Sequence, residues 1–256
     1  METLRTADGF RRAAVAALIG LASMGVVGRA QDAPAKEEAP KAKVDPKINE
    51  QFQKRGNAKG FIERFESHDR EVFAKRDAIV ASLHLKPGMA VADVGAGSGL
   101  FTRLFAEKVG REGRVFAVDI SKEFLDHIAE ESKKREQSQV KTVQGSQDAT
   151  NLAAGSVDLV FLSDVYHHFE DHEKMLASIH RALRPGGTLI LIEFDRVEGK
   201  SSEFVLKHVR AGQAEFTKEI EAAGFAVDAK APRPELSENF FARFRKIDEK
   251  APATTP

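Results

Sequence analysis

The residues of this chain best suited to chemistry lie between positions 90 and 120. Asp93 stands inside the apolar run Ala90–Val94, and glycines follow at 95, 97 and 99 with Ala96 and Ser98 between them. A second apolar run, Val115 to Val118, ends in Asp119 and Ile120. Glycine lets a backbone turn sharply and approach a ligand where a Cβ would intervene. A helix that starts just past such a turn points its free N–H groups into the same crevice. A carboxylate at the end of the next strand accepts both hydroxyls of a ribose. This order of parts describes a nucleoside site. The spacing argues against a dinucleotide, because G-x-G-x-x-G would place its third glycine at position 100, which is Leu100. An acid ahead of the loop repels a pyrophosphate and suits a ligand that carries an ammonium group.

Alternating strand and helix patterns must hold these residues in place. Strands read at 90–94, 114–119, 139–143, 157–162 and 187–194, and helices at 98–109, 122–136, 171–183 and 213–223. Residues 225–228 and 239–245 read as a closing pair. Such alternation makes an α/β fold around a parallel sheet. Residues 52–85 read as helical: Phe61, Ile62, Phe65, Val72, Phe73, Ile79, Val80 and Leu83 recur largely at three- and four-residue steps. Ser67 or Asp69 is placed to cap the helix that runs to Leu83.

The stretch from Asp93 to Gly99 resembles motif I of the class I S-adenosylmethionine-dependent methyltransferases. Three later segments are similar to the same family, in its type 11-like subgroup acting mostly on small molecules. They are Gln147 to Leu152 after the third strand, Val157 to Leu162 as the fourth strand, and Leu183 to Leu189 as the turn into the fifth. The resemblance covers roughly residues 83–244. It implies a Rossmann-like, doubly wound, seven-stranded sheet with a reversed last strand; the N-terminal helices lie outside it. It also implies S-adenosyl-L-methionine as cofactor. Gly95, Ala96, Gly97, Ser98 and Gly99 would admit the amino-acid portion, Asp93 would orient the ammonium and Asp119 would hold the ribose. Asp148 and Ala149 would bind adenine, with Ile120 and Ser163 also on the cofactor. The transferred methyl would point at the segment Ser163 to Phe169. Enzymes that methylate nucleobase amines resemble one another there in an Asp/Asn-Pro-Pro-aromatic motif, and this chain has Asp164 and Tyr166 but neither proline. Arsenic-methylating relatives need cysteines, and there are none. Quinone-ring and other small-molecule acceptors remain open.

An imidazole titrates near neutral pH and can take a proton from an oxygen or nitrogen nucleophile. His167 or His168 therefore reads as a general base beside Asp164, unless His168 only packs and bonds locally. His168 and His172, one turn apart if helical, would need a third ligand to hold a metal; none is evident, and no metal is expected. Glu66, His68 and Arg70 read either as a lid over the cofactor or as a solvated helix start. His208, Val209 and Arg210 read either as pocket lining or as an exposed face.

Lysine plus arginine and aspartate plus glutamate each number 39, so the formal net charge is +0. No excess of positive charge favours a phosphate backbone, and the expected partner is a small-molecule acceptor, not a nucleic acid. Arg5, Arg11 and Arg12 precede the uncharged run Ala13 to Val27, which is shorter than the roughly 20 residues of a membrane span. With Gly28-Arg29-Ala30 after it, the layout is that of a signal peptide over residues 1–30, cut after Ala30. The expected location is periplasmic or secreted, by the general route or, from Arg11-Arg12, the twin-arginine route, with no stable membrane span after cleavage. Residues 31–50 read as a disordered linker, 51–248 as the catalytic domain with its helical cap, and 249–256 as a disordered tail. Two rival functions remain at this level. One is an exported protein that binds a nucleoside or S-adenosylmethionine without turnover. The other is a Rossmann-type oxidoreductase, which Leu100 opposes.

Overall fold

The computed structural model describes residue 44 and residues 46–248. The expected signal peptide, most of the expected linker and the expected tail lie outside the described residues. Strands β1 (Ala90–Val94), β2 (Arg114–Asp119), β3 (Val140–Gln144), β4 (Val157–Ser163), β5 (Leu183–Phe194), β6 (Phe225–Val227) and β7 (Asn239–Lys246) form one sheet. Its order is β3-β2-β1-β4-β5-β7-β6. β1 to β5 pair in parallel, whereas β7 is antiparallel to both β5 and β6. The doubly wound, seven-stranded sheet with a reversed last strand is therefore the fold.

Side-chain alternation along the central strands splits the core into two layers. Ala92, Val94, Val160, Leu162, Leu189 and Leu191 pack with Leu176 and Ile179 of α7 (His172–Ala182) and Phe216 and Ile220 of α9 (Gln213–Ala222). Val91, Leu159, Phe161, Ile190 and Ile192 face the other way, onto α4 (Arg76–Ser82) and α5 (Leu100–Val109). Because both faces are covered, these strands read as nearly continuous apolar runs. α6 (Lys122–Lys134) seats Ile128 against Ala96 and Ala117, beside the glycine loop. Asp171 starts α7 by accepting from the Lys174 N–H at 3.0 Å.

The N-terminal region differs from its helical reading over 52–85. It breaks into a 3-10 turn at Pro46–Asn49 and four short helices: α1 (Glu50–Gln53), α2 (Ala58–Phe65), α3 (Glu71–Ala74) and α4. Neither Ser67 nor Asp69 caps the helix leading to Leu83. They bond to each other, Ser67 Oγ donating to Asp69 Oδ2 at 3.4 Å. α3 starts after Arg70, and the Glu71 carboxylate in its first turn accepts N–H bonds from Ser237, Glu238 and Asn239 at 2.5, 2.8 and 2.9 Å. The folded chain also begins ahead of the expected boundary at residue 51. Asn49 is buried, with its amide nitrogen 3.0 Å from Gln147 Oε1 and 2.9 Å from the His168 carbonyl oxygen. Further on, α8 (Glu203–His208) has no periodicity to announce it, being under two turns long. β5 starts earlier than expected, as Leu183 pairs with Val157 ahead of a register shift. Among the described residues, no helix is long and apolar enough to cross a membrane.

Candidate functional site

Strand order reverses between β1 and β4, and ligands of open α/β sheets bind at the carboxyl ends of the strands flanking such a point. A cavity opens there, with about 1070 Å³ of space when the open solvent at its mouth is included. Asp93, Gly95, Ala96, Gly97, Ser98, Asp119, Ile120, Ala149, Ser163, Asp164 and His168 all lie on its wall. Gly99, Asp148 and His167 are expected site residues that stand outside it.

The loop after β1 requires glycine for two separate reasons. Gly95 and Gly99 both have φ at 74°, in the left-handed region. A Cβ on Gly95 would lie 2.3 Å from Val165 Cγ2, and one on Gly99 would lie 2.7 Å from Ile128 Cγ1. Gly99 thus shapes the entry to α5 from behind the wall. The Gly97 N–H donates to Asp119 Oδ2 at 2.9 Å, and the Ser121 N–H donates to Asp119 Oδ1 at 2.8 Å. These bonds aim the carboxylate at the cavity and leave each oxygen a lone pair for a hydroxyl. Burial pushes the Asp119 carboxyl up to about 6. Asp93 is buried at the foot of the loop and accepts from Thr102 Oγ1 at 2.6 Å. Burial above all, with the Asp119 charge adding to it, raises Asp93 to about 7. Two buried acids on one wall favour a cationic ligand. In the segment expected to hold adenine, Gln147 and Ala149 face the cavity, but the Asp148 carboxylate is taken by the Ser146 hydroxyl at 2.7 Å.

The opposite wall is assembled from distant parts of the chain. Asp164 sits just past β4 with φ at 50°, unusual for a residue other than glycine. Arg70 donates to its Oδ2 at 2.5 Å and Asn239 Nδ2 to its Oδ1 at 2.6 Å. Burial nevertheless raises Asp164 to about 6, against the opposing pull of Arg70. Of the three lid candidates, Arg70 alone lines the cavity. Glu66 pairs with Arg103 through bonds of 2.9 and 2.6 Å, and His68 lies edge-on to Phe73 at 5.1 Å. Phe52 and Phe65 from the N-terminal region and Phe124 from α6 also line the cavity.

The histidines divide into different environments. His167 is buried behind the wall, its Nδ1 2.8 Å from Glu193 Oε2. His168 lines the cavity, and burial, with the adjacent His167 and His208, holds its pKa down at about 2. His172 lies 3.6 Å from Glu219 and does not join His168 in a cluster. The stretch 208–210 does not line the cavity either. His208 joins the other two histidines, Val209 is core, and Arg210 grips Glu219 through bonds of 2.7 and 2.5 Å. Sequence reasoning missed Glu193, although a lone acid inside Leu189–Phe194 was a signal for a buried partner. It also missed Asn49, Thr102 and Asn239, common polar residues whose partners only the fold supplies.

Residues 92–191 match the model of a family described as a methyltransferase domain. Among curated proteins, the chain is 32% identical over 115 residues to a ubiquinone/menaquinone biosynthesis C-methyltransferase of Legionella pneumophila, covering 43% of this chain and 45% of that protein. It is 28% identical over 162 residues to phosphoethanolamine N-methyltransferase 2 of Caenorhabditis elegans, covering 63% of this chain and 36% of that protein. The chain thus spans less than half the length of these curated relatives. A solved S-adenosylmethionine-dependent methyltransferase from Aquifex aeolicus is similar with a TM-score of 0.62 at 24% identity, covering 73% of this chain and 97% of that one. The matched segment resembles a methyltransferase domain, and the sheet has the Rossmann-like fold of such enzymes. The cofactor of such a domain is S-adenosyl-L-methionine. The wall described above fits it: Asp93 and Asp119 offer negative charge to its ammonium and sulfonium groups, and Asp119 also offers acceptors to a ribose.

Proposed function

We propose that this chain is an S-adenosylmethionine-dependent methyltransferase acting on a small, ring-bearing acceptor, and that it works in the periplasm or outside the cell. One observation carries the reading: a single cavity joins the buried Asp93–Asp119 wall to Asp164 and His168. The cofactor, when bound, would supply a methyl group on a sulfonium, open to in-line attack at the methyl carbon with the S-adenosylhomocysteine thioether as leaving group. The protein's part is to bind, orient, exclude water and hold protons. Asp119 accepts from the ribose hydroxyls and Asp93 faces the ammonium. Phe52, Phe65 and Phe124 keep the cavity dry and offer flat apolar contact to a ring. Arg70 and Asn239 fix the Asp164 carboxylate. That carboxyl, at about 6, is better matched to taking an acceptor proton near neutral pH than His168, at about 2. Neutral His168 orients the acceptor through a hydrogen bond instead, with His167 positioned behind it.

The similarity to enzymes named for ubiquinone/menaquinone biosynthesis and for phosphoethanolamine supports a small-molecule acceptor. The basic, apolar and small-residue layout of residues 1–30 supports export. Turnover is tested by incubating the full-length protein with methyl-labelled cofactor and a panel of quinols, phenols and amines. Label should enter at least one acceptor, and Asp164→Asn should slow transfer by about 10²–10⁴ while leaving cofactor affinity unchanged. Binding without transfer to any member of the panel would favour the exported binding protein. Export is tested by mass spectrometry of the N-terminus in a bacterial host: Gln31 should come first, and an intact Met1 on cytosolic protein would refute it.

A further inference from the structure

Beside the cavity, three histidines from two segments converge without saturating their nitrogens. His167 and His168 come from the 3-10 turn after β4, and His208 ends α8. Ring centroids lie 4.1 Å apart for His167–His168, 5.0 Å for His167–His208 and 5.3 Å for His168–His208. One nitrogen from each ring falls within 4.8 Å of the other two. His167 Nε2 and His168 Nδ1 are buried with no hydrogen-bond partner. Orphaned buried acceptors or donors of this kind cost stability and call for an explanation.

We propose that His167, His168 and His208 hold a divalent transition-metal ion of the zinc class at the acceptor wall of the cavity. Glu193 is the strongest support. Its Oε2 lies 2.8 Å from His167 Nδ1, and the carboxylate is fully buried, also accepting the Phe194 N–H through Oε1 at 2.8 Å. A buried carboxylate on Nδ1 fixes the proton there, turns the lone pair onto Nε2 and makes that nitrogen more basic, the usual support of a metal-bound histidine. The donor set is imidazole alone, which suits zinc, cobalt, nickel or copper and not magnesium or calcium. Three protein ligands leave a tetrahedral ion one open position. His168 lines the cavity, so the ion would sit beside it. Aromatic rings shield the cluster: Phe52 lies 5.3 Å from His168, Phe194 lies 6.0 Å from His167, and Phe204 stacks on His208 at 4.8 Å. Zinc–nitrogen bonds of about 2.0–2.1 Å put the ligand nitrogens of a tetrahedron about 3.3 Å apart, so the rings must draw together. Half-exposed His208, at the C-terminal end of the six-residue α8, would move inward.

Such an ion would lower the pKa of a hydroxyl or thiol bound at its open position, activating the acceptor. This last role rests on the methyltransferase reading, whereas metal binding stands on the histidine geometry alone. The test uses full-length protein carrying no affinity tag, freed of metal with a chelator and titrated with Zn²⁺ by calorimetry and with Co²⁺ by visible absorption. Wild type should take up one ion per chain and give the intense visible bands of tetrahedral cobalt. His208→Ala should weaken Zn²⁺ binding by more than about 100-fold, and Glu193→Gln by about 10–100-fold. Circular dichroism should show both variants folded, and His208→Ala should bind S-adenosylhomocysteine within about threefold of wild type. Absence of Zn²⁺ and Co²⁺ binding in wild type, or equal binding by wild type and His208→Ala, would overturn the site. Loss of S-adenosylhomocysteine binding in wild type itself would instead remove the cofactor reading and leave the metal result standing.

Discussion

The two walls of the cavity are built on different plans. On the cofactor wall, Asp93 meets Thr102 across nine positions and Gly97 meets Asp119 across 22, all within one strand–loop–helix–strand unit. On the acceptor wall, Arg70 meets Asp164 across 94 positions, Asn239 meets Asp164 across 75, and Asn49 meets the His168 carbonyl across 119. The first wall is set by glycine backbone geometry and two acids on adjacent strands. The second exists only once the N-terminal helices and β7 have docked. Damage to the first should therefore appear in cofactor binding, and damage to the second in turnover and its pH dependence.

The largest separation of the two should come from Asp119→Ala. Losing two hydrogen bonds from a charged acceptor to the ribose, at about 1.5–3 kcal/mol each, should weaken cofactor binding by roughly two orders of magnitude or more. Calorimetry on a variant shown to be folded checks this. A smaller effect, on stability, is expected from Gly95→Ala, where positive φ and the contact with Val165 together cost about 2–5 kcal/mol in urea unfolding. Gly155→Ala is its control: φ is also positive there, at 59°, but nothing lies within 4 Å of the added Cβ. It should lose only about 1–2 kcal/mol. Equal losses at the two glycines would mean that crowding against Val165 does not matter.

Arg70→Met strikes the acceptor wall. Removing the guanidinium from Asp164 should raise that carboxyl above about 6 and move the acidic limb of the turnover profile to higher pH, with cofactor affinity unchanged. An unmoved limb would remove Asp164 from the proton transfer.

The smallest expected effect is graded with pH. Asp93 and Asp119 have folded-state values raised to about 7 and about 6. Burial thus favours their protonated forms, and the stability they contribute is present at low pH and lost as pH rises through those values. A cationic ligand needs the ionised forms, so cofactor affinity should move the other way and fall as pH drops below about 7. From pH 8 to 6.5, thermal unfolding of cofactor-free protein should rise while affinity declines, each by at most about 1.4 kcal/mol per pH unit for each group titrating. Asp93→Asn should flatten both trends, and an unchanged slope would show that Asp93 does not face the ligand's cation.

The contrast between the walls also explains what the sequence revealed. β1, β2 and β4 lie within a residue of their expected bounds because buried parallel strands are marked by unbroken apolar runs. The glycine loop was legible because φ and close approach restrict those positions to one residue type. Asp148 lies in the segment expected to hold adenine, but Ser146, two residues away, holds its side chain, a local competition no motif encodes. Lys75, which splits the helix before β1, carries no breaker signature, and the partners of nearby Glu71 at residues 237–239 lie far along the chain. The same applies to Glu193 and His208, whose partners arrive from other elements.

The central claim is that the cavity at the β1–β4 switch point is a site for S-adenosylmethionine and not for a dinucleotide. Calorimetric titration of the full-length protein with S-adenosylmethionine, S-adenosylhomocysteine and NAD tests it most directly. Saturable binding of both sulfur ligands with no heat from NAD is the expected result. Tight NAD binding with no response to either sulfur ligand would contradict it.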